Sequence, residues 1–157
     1  MSEARRLSMM KVVPIATLLA IVLGFALPVA SASASTSPVH LKITTYSDPG
    51  LTHPTSRVAT GGSLYVVVSL VDKSGNPVAW TGPVALRLVL SARAGYFTAT
   101  NVFIDPGSSN TATSFGLIGY SAPSNPGVRC IVASGVLSGT MQHATERIHV
   151  VPYGTVH

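Results

Sequence analysis

Residues 71–86 read VDKSGNPVAWTGPVAL, and the fold turns on how DKSGNP inside them is understood. Asp72, Ser74 and Asn76 place oxygens at the first, third and fifth positions of a candidate cation loop. A calcium loop of the EF-hand kind then requires Gly at position six and Glu at position twelve, between two helices. Those positions hold Pro77 and Pro83, and the flanking segments are apolar and β-branched rather than helical. The alternative is a turn. Asp72 bonds to nearby backbone amides, Gly75 takes a positive φ, and Pro77 fixes the exit. A tight connection between antiparallel strands is therefore predicted here.

Strand patterns flank the loop on both sides. VHLKITTY (39–46) alternates, with Val39, Leu41 and Ile43 on one face and His40 and Lys42 on the other. SLYVVVSLV (63–71) puts Leu64, Val66, Val68 and Leu70 in one phase, and PVALRLVLS (83–91) does the same with Val84, Leu86, Leu88 and Leu90. GYFTATNVFID (95–105) reads as one bent strand or two short ones. TATSFGLIGY (111–120) reads as a strand with a bulge at its glycines. VRCIVAS (128–134) and ATERIHVV (144–151) close the series, joined through GVLSGTMQH. Asp-Pro-Gly at 48–50 and Pro-Gly at 106–107 mark turns. Seven or eight short strands punctuated by Gly and Pro predict an all-β antiparallel sandwich of the immunoglobulin-like class.

Upstream, MSEARRLSMMK is basic, residues 12–30 are apolar without a charge, and SASASTS follows. A basic start, an apolar run and A-x-A-like small residues form a secretory signal peptide. The run is also long enough to span a bilayer core of ~30 Å as a retained anchor, but Pro14, Gly24 and Pro28 weaken it as a durable helix and favour cleavage after Ala32 or Ala34. The expected organisation is a signal peptide over 1–34, a linker over 35–38, the sandwich over 39–152 and a tail over 153–157. The protein is expected to be secreted or at the cell surface, touching the membrane only through 12–30 if uncleaved.

Charge and chemistry narrow the function classes. Only 10% of residues are charged, against about 25% in a typical soluble domain. Beyond the signal the bases are Lys42, Arg57, Lys73, Arg87, Arg93, Arg129 and Arg147, and no two are adjacent. That excludes the basic stripe of a nucleic-acid binder. The acids are Asp48, Asp72, Asp105 and Glu146; the three aspartates have turn roles, which leaves no carboxylate pair for glycoside hydrolysis. No G-x-S-x-G elbow is present. Cys130, Met141 and His143 are the best metal candidates, since blue-copper sites use Cys, His and a weak Met. Yet Cys130 and His143 lie thirteen residues apart, and Met141 precedes the histidine. His40, His53, His149 and His157 add donors without a ligand spacing. The single cysteine excludes a disulfide within the chain. Val128 and Val132, in its own alternating phase, favour a buried Cys130. Trp80, in the bend after the loop, is either an exposed sugar platform or a cap on one end of the core, and the cap is favoured.

The run VVVSLVDKSGNPVAWTGPVALRLVLSARAGYF resembles bacterial immunoglobulin-like domains of the invasin/intimin type. In these a strand runs into Asp-x-x-Gly-x-Pro-Val, and Asp72, Gly75, Asn76, Pro77 and Val78 fit that pattern. PGVRCIVASGVLSGTMQHATERIHVV resembles the last two strands of such a domain, so the resemblance spans roughly 58–151; the family's Asp-x-x-Gly-x-Ala step is missing from 106–120. The resemblance implies a stalk, adhesion or spacer module without an active site or cofactor. Expected partners are other copies of the chain or cell-surface components. Two other expectations stand beside this one. The first is a filament subunit that donates residues 35–46 to a neighbour's sheet. The second is a carbohydrate-binding module centred on Trp80.

Overall fold

A computed structural model describes residues 39–155; the expected signal peptide and linker lie outside the described residues. Nine strands and one helical turn follow in order: β1 (His40–Tyr46), β2 (Arg57–Ala59), β3 (Ser63–Val71), β4 (Leu86–Ala92), β5 (Tyr96–Phe97), β6 (Asn101–Ile104), α1 (Thr111–Ser114), β7 (Ile118–Ser121), β8 (Gly127–Leu137) and β9 (Thr140–Val151). One sheet has the order β1-β3-β7-β5, the other β2-β9-β8-β4-β6. With β1, β3, β7 and β5 as A, B, E and D, and β4, β8 and β9 as C, F and G, this is the strand order of an immunoglobulin sandwich. The chain's first edge is split. β1 runs antiparallel to β3 over all seven of its residues, whereas β2 joins the opposite sheet parallel to β9.

The alternation read from sequence builds the core. Leu41 and Ile43 of β1, Leu64, Val66, Val68 and Leu70 of β3, Leu86, Leu88 and Leu90 of β4, and Ile118 and Tyr120 of β7 are buried together. Burying a side chain of this size contributes roughly 1.5–3 kcal/mol, so the facing rows outweigh any single polar contact in holding the sheets together.

Three expectations change, one alternative is settled and one strand is added. First, the 71–86 loop does not join paired strands. Val71 bridges Pro77 and the Val78 N–H donates to the Leu70 carbonyl at 2.9 Å, but the chain then crosses to the other sheet. Accordingly β4 starts at Leu86, and Val84 is 70% exposed rather than inward. Second, residues 57–59, with no alternation long enough to register, form β2. Third, of the two readings of 95–105, two short strands is the one found, and they belong to different sheets. Fourth, 111–120 is not one strand. The Asn110 side chain caps a helical turn by accepting from the Thr113 N–H at 3.0 Å, and fully buried Thr111 accepts the Val68 N–H through its hydroxyl at 3.1 Å. With the Ser109 carbonyl on the Leu70 N–H at 2.8 Å, these groups satisfy the part of β3 that β7 does not pair. Fifth, GVLSGTMQH is mostly strand. β8 and β9 turn on Ser138 and Gly139 alone, with φ of 50° and 78°. Two positive φ values are those of a type I′ hairpin, which matches strand twist.

Candidate interaction face

Each predicted site residue has a definite place. In the loop, Asp72 Oδ1 accepts the N–H groups of Ser74 at 2.8 Å and Asn76 at 2.9 Å, while Oδ2 accepts from the Asn76 side chain at 3.2 Å. Gly75 has φ of 83°. The backbone and side-chain hydrogen bonds from Asn76 hold the Asp72 carboxyl below its ordinary pKa. The same design recurs after β1. There desolvation pushes Asp48 up, but hydrogen bonds from Thr52 and His53 overcome it and bring the carboxyl to about 2. Both carboxylates are thus occupied by their own loops, and among the described residues no group of three His, Cys, Asp or Glu is placed to hold a metal ion.

Cys130, Met141 and His143 lie on the outward face of the β8–β9 hairpin, but its register separates them. Cys130 faces Arg147, His143 faces Ser134, and Met141 faces Val136. Four residue steps between the Cys130 and His143 rows amount to ~13 Å, too far for one ion. His143 Nδ1 instead hydrogen-bonds with the Ser134 hydroxyl at 2.8 Å. Cys130 is half-buried, which corrects its expected place in the core. The inward phase of β8 is that of Ile131 and Ala133, and Val128 is 53% exposed. In Val128-Arg-Cys-Ile-Val the outward phase is the wholly apolar one and Arg129 stands in the inward phase, so alternation pointed to the wrong side.

Trp80 is half-buried and packs against the core cluster. Its indole N–H donates to the Val84 carbonyl at 2.7 Å, and its backbone bonds to Ser108 and Gly107 at 2.8 Å each. The ring is therefore pinned rather than projecting. It borders a shallow depression of about 480 Å³ together with Val84, Arg87, Val89, Val136 and Met141.

That depression belongs to the outer face of the five-stranded sheet. Val89 of β4, Phe103 of β6, Val136 of β8 and Met141 of β9 are all exposed there. Cross-strand pairing links Phe103 to Arg87 and Val136 to Met141. Beside Phe103 stands Phe115, ring centroids 6.1 Å apart. Arg87 is held by Asn101, whose Oδ1 accepts from Nε at 3.2 Å and Nη2 at 2.7 Å. Sequence reasoning missed this cluster. Its only signal is apolar residues at outward phases of β4 and β8, and part of β8 had been read as loop.

No family model matches the chain, and no curated protein matches it. Among solved structures it is similar to domains 4 and 5 of the S-layer protein SbsC, with 14% identity over 60% of this chain and 46% of that one, at a TM-score of 0.35. It is also similar to the ZirS C-terminal domain, with 15% identity over 90% of this chain and 85% of that one, at a TM-score of 0.35. The chain spans less than half the length of the first of these. What ties it to immunoglobulin-type sandwiches is therefore its own strand order.

Proposed function

We propose that this chain is an exported, non-catalytic immunoglobulin-like module with a structural or adhesive role at the cell surface, engaging its partner through the outer face of the five-stranded sheet. The observation that carries the reading is the exposed apolar group of Val89, Val136 and Met141 around one depression, with Phe103 exposed beyond Arg87 on the same face. Isolated exposed apolar residues are ordinary, but contiguous ones rimmed by polar groups mark interaction sites. The basic, apolar and small-residue succession at the N-terminus supports export. The Asp72-to-Pro77 turn supports kinship with invasin/intimin-type modules.

Fractionation of producing cells with surface protease treatment tests this reading. The chain is expected outside the cytoplasm and bound to the envelope. The pair Val136→Thr and Met141→Gln, polar but uncharged at exposed cross-strand positions, is expected to change the melting temperature little and to release the chain into the medium. Cytoplasmic retention, or unaltered envelope binding by the double variant, overturns the proposal.

A further inference from the structure

The other half of the same face is cationic. Arg57 of β2 is paired in register with His149 of β9, which faces Val128 of β8. Arg147, two residues along β9, faces Cys130. Arg93 follows the last residue of β4 in the outward phase of Arg87, Val89 and Ser91, and is exposed like Arg57, Arg147 and His149. Among the described residues, Arg57, Arg93 and Arg147 have no carboxylate within ion-pair distance; the salt bridge found there joins His53 to Asp48. Nor does any outward strand position of this sheet carry an acid. Asp48 and Asp72 are held in loops, Glu146 lies in the inward phase of β9, and Asp105 follows β6 at the apolar end.

We infer that this face binds an acidic polysaccharide, a glycan with a carboxylate on each sugar, lying along β8 and β9 from Met141 to His149. That distance is ~27 Å of strand, room for several sugars. The inference rests on the adhesive reading and names its ligand class. Charge complementarity selects an anion, because a basic face without carboxylates attracts polyanions and repels an identical face. It therefore disfavours a second copy docked face to face. The apolar half selects a glycan among anions. Sugar rings present C–H faces that pack on side chains such as Val136, Met141 and the rim of Trp80, while their carboxylates reach the arginines as charge-assisted hydrogen bonds. A bilayer fits less well, since Trp80 is pinned and the apolar residues line a depression rather than a protruding tip.

The test uses the purified chain and immobilised polygalacturonate, with neutral dextran and phosphatidylglycerol vesicles as the other arms. Binding to polygalacturonate is expected, absent on dextran and weakening as salt rises through the range where the screening length shrinks below about 10 Å. Arg57→Gln with Arg147→Gln is expected to weaken it at least about tenfold, a loss of ~1.4 kcal/mol. Lys42→Gln with Lys73→Gln removes the same charge elsewhere and is expected to change affinity less than about twofold, under ~0.5 kcal/mol. Equal losses in the two double variants, no binding to polygalacturonate, or binding to the vesicles alone each overturn the inference. An envelope-bound chain that ignores polygalacturonate overturns this inference and leaves the adhesive reading standing, whereas a cytoplasmic chain overturns that reading itself.

Discussion

Gly95 sits where the β4–β5 connection passes over Tyr120, and replacing it with alanine should be among the most damaging single-methyl additions in the domain. The Tyr120 side chain is fully buried, its hydroxyl donates to the Ala94 carbonyl at 2.6 Å, and its ring packs on Phe97 with centroids 5.2 Å apart. A Cβ on Gly95 would lie 2.5 Å from the Tyr120 hydroxyl and 2.5 Å from the Ser121 carbonyl oxygen, and the backbone φ there is +85°. The left-handed conformation alone costs an L-residue roughly 1–2 kcal/mol. Overpacking against a strand carbonyl and a buried ring adds roughly 1–3 kcal/mol, and losing the Tyr120 hydrogen bond about 1 kcal/mol more. Together Gly95→Ala should destabilise by about 3–6 kcal/mol, a drop in melting temperature of roughly 10–20 °C for a domain of this size. Gly139→Ala is the control. Its φ is +78° but nothing lies within 4 Å of the added Cβ, so it should cost only about 1–2 kcal/mol. Thermal melts by circular dichroism, with urea titrations for the free energies, decide the matter. If the two variants melt together, the packing of Tyr120 beneath residue 95 is not as described.

Two further outcomes are expected. The folded-state pKa values of Asp48, at about 2, and Asp72 are lowered. Their contribution is therefore present above the unfolded carboxylate pKa of ~3.9 and is lost as pH falls through the folded values. The urea midpoint should fall from about pH 5 towards pH 2; Asp48→Asn with Asp72→Asn should lower it at neutral pH and flatten that fall, and an unchanged acid limb would refute the loop assignments. Deleting residues 40–46 removes buried Leu41 and Ile43, worth about 3–6 kcal/mol, and bares the β3 edge. The truncated chain should aggregate through the bared β3 edge unless a synthetic peptide of residues 40–46 is supplied, and a stable monomer without the peptide would show that β1 is dispensable and end the strand-donation alternative.

The sandwich was legible wherever one strand face is apolar and the other polar. The inward residues of β1 and β3 followed from alternation alone, as did those of β4 from Leu86 onward. Legibility failed where long-range partners set the local structure. Thr111 is helical because Val68 and Leu70 need acceptors beyond the end of β7, which nothing within 111–120 announces. Cys130 was misplaced because its own, outward phase carries Val128 and Val132 while Arg129 stands in the inward one. The candidate face was hidden for a related reason. Its arginines lie on β2, β4 and β9, far apart in sequence, and only the parallel pairing of β2 with β9 brings Arg57 beside His149.

That parallel pairing also sets an order of events. Arg57–Ala59 finds its partners in His149, Val150 and Val151, about ninety residues further on. A chain emerging N-terminus first, from a ribosome or through a membrane pore, can close β1 on β3 early, but β2 must wait for the last strand to arrive. Contacts of such sequence separation slow folding, because loop entropy is lost before they form. The sandwich can therefore seal only once almost the whole domain is through, so a stalled or truncated chain would keep its second sheet open at one edge and remain threadable until the end.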